Sequence, residues 1–163
     1  MSESQLTIIG RAEKVAFPEL GAKMVPTKID TGADSSSIWA HVTKVEDERL
    51  KVVFFSPESP YYTGDEHVFE KGDFVITRVS NSFGQRELRY KVTLKIKVHN
   101  RVINGTFTLA DRSKKLYPVL IGRSLLKKKF LVDVSLGSPL RKEEKERADR
   151  LHEELVNTKE VTT

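Results

Sequence analysis

Nine residues constrain the fold more than any other part of this chain. Tyr90, Val92, Leu94, Ile96 and Val98 alternate with Lys91, Thr93, Lys95 and Lys97. A period of two over that length is a strand with one apolar face and one face in water. Phe74–Val79 is a second run rich in β-formers. Ser80-Asn81-Ser82-Phe83-Gly84-Gln85 between them is a turn cluster, so a long hairpin is expected. After the turn His99-Asn100-Arg101, Val102–Ala110 reads as a third strand. Asn104-Gly105 suits a hairpin turn, but there it would leave a stub on one side. A strand with a bulge at that point is expected instead.

Shorter strands are predicted at Leu6–Gly10, Val25–Ile29, Ser37–Thr43, Leu50–Phe55, Val119–Ile121 and Phe130–Val134. The stretch Ser56–Asp65, with two prolines and Gly64, reads as a loop. Many short strands with turn signals define an all-β class, a small barrel or sandwich. Two helices are expected. Arg123–Lys129 is short. Arg141–Val156 is long and charged, with only Ala148, Leu151, Leu155 and Val156 as apolar anchors, and reads as an exposed appendage. The layout is one domain over residues 1–136 and a helical tail over 137–163.

The 163 residues contain no cysteine, which excludes disulfides and thiolate metal sites. The start, Met-Ser-Glu-Ser-Gln, has no basic region leading into a long apolar run, and no stretch is long enough to span a bilayer. A cytoplasmic protein with no membrane partner is expected. The net charge is +5, and the last 23 residues hold six Lys/Arg against seven Asp/Glu, so the excess sits in the body. Such a surface is a solvated lysine excess or attracts an acidic partner. The one basic run, Lys127-Lys128-Lys129, lacks interleaved aromatics, so no direct nucleic-acid binding is expected.

Residues 28–34, Lys-Ile-Asp-Thr-Gly-Ala-Asp, carry the chemistry. An apolar approach delivers Asp30 into a tight turn made by Thr31 and Gly32. Gly32 is expected to take a backbone that a side chain would block, and the Thr31 hydroxyl to tie the turn down. Read alone, Asp30 is more simply an aspartate that suits a turn at a strand end. The histidines His41, His67, His99 and His152 are scattered. No His-Glu-x-x-His and no Gly-x-x-x-x-Gly-Lys loop is present, so no metal and no cofactor are expected. Trp39 reads as a core aromatic or a cleft wall, and Tyr61-Tyr62 as a packed loop or a recognition platform.

A set of segments in order resembles the retropepsin-like aspartic proteases. These are Ile-Gly-Arg at 9–11, Pro-Glu-Leu-Gly at 18–21, Lys-Ile-Asp-Thr-Gly-Ala at 28–33, Ala-Asp-Arg-Ser at 110–113, Pro-Val-Leu-Ile-Gly-Arg at 118–123 and Phe-Leu-Val-Asp at 130–133. The layout is similar to a bacterial branch labelled ATP-dependent zinc protease and encoded near ribosomal-protein glutamate ligases. The resemblance covers roughly residues 8–135. It implies a small closed β-barrel, with a short helix after the Ile-Gly-Arg strand.

Peptide hydrolysis by aspartates needs two carboxyls, one taking a proton from water and one polarising the scissile carbonyl. Here Asp-Thr-Gly occurs once, and no other aspartate stands in the same turn. The resemblance therefore implies a homodimer in which Asp30 meets its symmetry mate. It gives Thr31 and Gly32 the support of that centre. Thr31 bonds across the dimer. Ala33, Asp34, Phe83, Gly84 and Ile121 fall to substrate, with Phe83-Gly84 at the tip of a flap formed by the 74–96 hairpin. Gly122 and Arg123 support the loop, Arg123 by pairing with Asp34. The implied substrate is an acidic, Glu-rich protein tail such as that of a glutamate-tailed ribosomal protein. The alternative is a non-catalytic module that holds a peptide or protein on the same fold. The retropepsin pattern seals its dimer with terminal strands, whereas this chain has a charged helix there.

Overall fold

A computed structural model describes residues 5–80 and 83–161. Its strands are β1 (Thr7–Ile9), β2 (Ala12–Phe17), β3 (Ala22–Ile29), β4 (Ser36–Glu46), β5 (Arg49–Phe54), β6 (His67–Phe69), β7 (Phe74–Ser80), β8 (Arg86–Val98), β9 (Arg101–Ala110), β10 (Val119–Ile121) and β11 (Phe130–Val132). Two α-helices are described, α1 (Arg123–Leu126) and α2 (Arg141–Val161). No described helix is both long and apolar enough to cross a membrane. The protein is mostly β, as the alternation predicts.

On β8 the wet and dry faces separate as the sequence requires. Val92, Leu94, Ile96 and Val98 are buried, while Thr93, Lys95 and Lys97 are exposed. Each such apolar side chain taken from water contributes about 1.5–3 kcal/mol. β7 and β8 pair antiparallel from Phe74↔Val92 to Ser80↔Arg86. The expected hairpin is therefore present, although Asn81 and Ser82 of its turn lie outside the described residues. β8 passes to β9 through His99 and Asn100, and His99 takes a left-handed φ of 54°.

The expected bulge at Asn104-Gly105 is absent. Pairing runs without a break through Lys95↔Asn104 and Leu94↔Gly105. Gly105 has a different reason: a Cβ there would lie 2.6 Å from Leu125 Cδ1 and 2.8 Å from the Phe107 ring. Its missing side chain lets α1 seat against the sheet.

β10 is short but central. It pairs parallel with β3 and antiparallel with β4. Together with the β3–β2, β2–β8, β8–β9 and β9–β4 pairings, this links six strands in a cycle. β5 and β6 extend from β4, β7 extends from β8, and β1 and β11 form a separate parallel pair. The core packs inside the cycle around Val25, Ile38, Ile96, Phe107 and Ile121, with Phe17 edge-on to Phe107 at 5.5 Å.

Both helices differ from expectation at their ends. α1 stops at Leu126 because Lys127 turns to ψ 127° and Lys128 to a left-handed φ of 64°. α2 runs on to Val161, and its intended anchors Ala148, Leu151, Leu155 and Val156 are exposed. Its first turn is held by polar bonds instead. Arg11 donates to both Glu144 oxygens at 3.0 and 2.9 Å. The Tyr117 hydroxyl donates to Glu144 at 3.1 Å and accepts from the Leu140 N–H at 2.9 Å. The start of the helix is thus part of the body, and residues 148–158 are exposed.

Candidate active site

Asp30 follows β3, and the chain turns back into β4 at Ser36. The intervening loop wraps the end of β10. The Asp30 N–H donates to the Ile121 carbonyl at 2.9 Å. The N–H groups of Arg123 and Ser124 donate to the carbonyls of Ala33 and Asp34 at 2.8 and 3.1 Å. The Gly122 N–H donates to Ser36 Oγ at 3.0 Å. Four bonds that need no particular loop side chain except Ser36 therefore fix where Asp30 sits. Gly122 is a requirement of this close approach, since a Cβ would stand 2.5 Å from the Ser35 carbonyl oxygen and 2.8 Å from that of Ala33.

Within the loop, Asp30 Oδ1 accepts the Gly32 N–H at 2.9 Å, and the Asp30 carbonyl accepts the Ala33 N–H at 3.2 Å. This is an Asx turn, the local closure that aspartate favours. The expected reason for Gly32 needs correction. Its φ is not in the left-handed range, and an added Cβ would meet only the Asp30 carboxylate, at 3.2 Å. Gly32 keeps space beside that oxygen rather than permitting an unusual backbone.

Thr31 is exposed, and its carbonyl accepts from Arg123 Nη1 at 3.2 Å. Arg123 Nη2 stands 3.6 Å from Asp34 Oδ1, the pairing that the resemblance implies. Ile121 is not where a substrate contact would need it. Its side chain is fully buried in the core, because β10 is covered on that face, and Leu120 next to it lines the cleft instead. Phe83 and Gly84 are exposed at the hairpin tip and do not line the cleft; the hairpin reaches it through Arg78, Val79, Ser80 and Arg89. Trp39 packs against the core, Tyr61 against Phe55 and Tyr62 against His41.

The cleft in front of the loop has a volume of about 1030 Å³. Asp30, Gly32, Ala33 and Asp34 line it, together with Ser37, Leu120 and the first turns of α2. Seven lining residues are Lys or Arg and three are Asp or Glu. Two of those three carboxylates are engaged, Glu144 with Arg11 and Asp34 with Arg123. The field in the cleft is therefore cationic, and of its three carboxylates Asp30 is the one without an ion pair among the described residues.

Two residues on the cleft wall were not singled out from the sequence as site residues. Arg112 is buried, and its Nε–H donates to the Tyr117 carbonyl at 2.9 Å. Burial first, and then the charge of Arg89, push its guanidinium down to about 10, which leaves it charged at neutral pH. Ser37 is also buried, and its Oγ has no hydrogen-bond partner among the described residues. The Ala-Asp-Arg-Ser segment held a signal for Arg112. Nothing local marked Ser37 among the serines that follow Asp34.

A stapled turn that carries one carboxyl into a cation-lined cleft defines the class: a retropepsin-like protein. Residues 8–144 match the RimB-like family, described as the retropepsin-like aspartic endopeptidase RimB, and the chain belongs to that family. It is 28% identical over 145 residues to a protein named a probable alpha-L-glutamate ligase in Shewanella pealeana, covering 83% of this chain and 30% of that protein. A protein of the same name in Desulfotalea psychrophila is 28% identical over 142 residues, covering 85% of this chain. The chain thus spans about 30% of the length of these curated relatives. The crystal structure of Lpg0085 from Legionella pneumophila, a protein of unknown function, superposes with a TM-score of 0.60 at 25% identity, over 82% of this chain and 97% of that one.

Proposed function

We propose that this chain is an aspartic endopeptidase that works as a homodimer. The observation that carries this reading is the fixed position of Asp30, held by backbone bonds to β10 at the mouth of the cleft. In the proposed dimer two such loops face one another across a two-fold axis. Two carboxyls held together share one proton. The ionised Asp30 takes a proton from water as the water oxygen bonds to the scissile carbonyl carbon, the protonated one donates to the carbonyl oxygen, and the tetrahedral intermediate collapses with cleavage of the C–N bond and proton transfer to the leaving amine. The six-strand cycle is read as the small closed barrel of the family, and the β7–β8 hairpin as the element that covers substrate, through its arms.

The substrate proposed is an acidic, Glu-rich protein tail, such as one on a ribosomal protein. Support comes from the cationic cleft and from relatives whose names concern glutamate ligation. The test is cleavage of a peptide bearing an oligoglutamate tail by the wild-type chain and by Asp30→Asn. Cleavage by wild type alone, with both proteins equally folded, supports the reading. Equal cleavage by the variant rejects it.

The second reading is a non-catalytic binding module. One observation favours it: a single chain presents one Asp30, and the other two cleft carboxylates are paired with arginines. A chain that stays monomeric at high concentration, binds the acidic peptide and does not cut it would fit this reading.

A further inference from the structure

The inner wall of the cleft carries charge and hydrogen-bonding capacity that the fold itself does not use. Arg112 is 8% exposed and spends one N–H on the Tyr117 carbonyl. No carboxylate lies within ion-pair distance of it among the described residues, and the charge it feels is that of another cation, Arg89. A buried guanidinium beside a second arginine is costly unless an anion neutralises it. Arg89 is tied at its other side to Glu87 at 2.5 Å, and its Nη1 is 3.5 Å from Thr108 Oγ1.

Thr108 connects this cationic pair to a second, independent feature. It is the direct cross-strand partner of Ser37 on β4. Ser37 is 5% exposed and lines the same cleft, and its Oγ is the described residues' one buried side-chain polar atom without a partner. Buried hydroxyls are ordinarily bonded, so an orphan calls for an explanation. The unpartnered Ser37 hydroxyl, Arg112 and Arg89 line one cleft and together offer an oxyanion two charged donors and one neutral donor, Arg112 with no carboxylate beside it and Arg89 with Glu87 on one side only. Guanidinium groups bind carboxylates in planar, charge-assisted pairs.

We propose that Arg112, Arg89 and Ser37 form a carboxylate-binding subsite that holds one carboxylate of a peptide substrate inside the cleft. The carboxylate is that of a glutamate side chain or of the peptide's C-terminus; both present the same chemistry. This deepens the peptidase reading, on which it rests for the cleavage that follows, while binding itself needs no catalysis.

Binding is therefore measured in the Asp30→Asn background, by fluorescence anisotropy with a labelled tetraglutamate peptide. Arg112→Gln and Arg89→Gln are each expected to weaken binding roughly tenfold or more, and Ser37→Ala a few-fold. Should Arg112→Gln fail to fold, because Tyr117 loses its donor, Arg89→Gln and Ser37→Ala decide the matter. Two further peptides separate the sources. Loss of affinity for tetraglutamine with a free C-terminus identifies the side-chain carboxylate, and loss on amidating tetraglutamate identifies the terminal one. Either result, or both, supports the subsite. Affinity unchanged across the folded variants, or equal for a peptide without any carboxylate, overturns it. Tight binding without cleavage by wild type sinks the peptidase reading alone; cleavage unaffected by the arginine substitutions sinks the subsite alone.

Discussion

Arg123 reaches back over the loop that its own backbone holds: its Nη1 donates to the Thr31 carbonyl at 3.2 Å, one residue beyond Asp30. Its other nitrogen faces Asp34 at 3.6 Å, with both side chains more than half exposed. An exposed pair of that kind contributes about 0–1 kcal/mol. The bond to Thr31 constrains position more than energy. Arg123→Lys keeps the charge but loses the rigid fork. Urea melts should move by about 1 kcal/mol at most, while kcat on the glutamate-tailed peptide falls roughly tenfold with KM little changed. A large loss of stability would show that the side chain, and not the backbone, holds the loop.

Gly122 should be far less tolerant. An added methyl would meet two loop carbonyl oxygens, at 2.5 and 2.8 Å, and neither belongs to a flexible side chain. The loop must then move off β10, breaking the bonds from Gly122 to Ser36 and from Arg123 to Ala33. Gly122→Ala is expected to cost about 3 kcal/mol or more, and whatever protein remains folded should lack the proposed peptidase activity. Denaturation midpoints and single-turnover cleavage check the two halves separately.

How much of this was legible in the sequence depends on whether the signal was local. β8 was readable because one face is wet, so Lys95 and Lys97 mark the phase of the buried residues. β2 was not, because Glu13 sits buried within it and pairs with His99 at 2.9 Å, which breaks the alternation. β6 has only three residues, too few for any period. At the site, Asp30 stood out because a tight turn demands particular residue types, and Gly122 and Arg123 entered through the resemblance; the close approach at Gly122 was defined only by the fold. Arg112 and Ser37 did not stand out, because their importance comes from burial and from missing partners, which only the assembled fold defines. The same limit explains α2: its apolar residues looked like anchors, but the contact is made by Glu144 through Arg11, from the far end of the chain.

That contact should make the protein acid-sensitive in a specific way. The Arg11 hydrogen bond, with help from Tyr117, holds the Glu144 carboxyl below its ordinary value. A carboxylate depressed in the folded state stabilises above its unfolded pKa, and the contribution is lost as pH falls through the folded value. Thermal melts of wild type and Glu144→Gln should therefore differ most above the ordinary glutamate value of 4.5 and converge as pH falls well below it. Glu58, Asp111 and Asp133 are also held low, each by a nearby serine, and titrate in both proteins. The difference between the two melts is thus the quantity to follow. A gap that stays constant across the range would refute the linkage.

The seat of α1 can be tested through Gly105. Gly105→Ala pushes a methyl into Leu125 Cδ1 and the Phe107 ring. Overpacking of this kind costs about 1–3 kcal/mol. Leu125→Ala alone should cost about 2–5 kcal/mol by leaving a cavity. Combined, the two should cost less than their sum, since the new methyl fills part of that space. Strict additivity in chemical denaturation would mean that Gly105 and Leu125 do not contact each other.

The proposed dyad makes a prediction that a single aspartate does not. Let wild type be mixed with Asp30→Asn and the chains exchange freely, by co-expression or joint refolding. If one catalytic centre needs Asp30 from both copies, only dimers of two wild-type chains cut. Activity per wild-type chain then falls as variant is added, and total activity follows the square of the wild-type fraction. An equal mixture should keep about a quarter of the activity of the same total amount of wild type. If each chain acts alone, the mixture keeps about half. Sedimentation of the same samples shows whether a dimer is present, so weak association is distinguished from independent chains. Asp30→Asn should leave the fold intact, since the loop hangs on backbone bonds to β10 and Ser36, and the amide oxygen can still accept from Gly32. A linear response with full dimerisation would remove the paired-aspartate mechanism while leaving the cleft, its cations and its acidic ligand as they are.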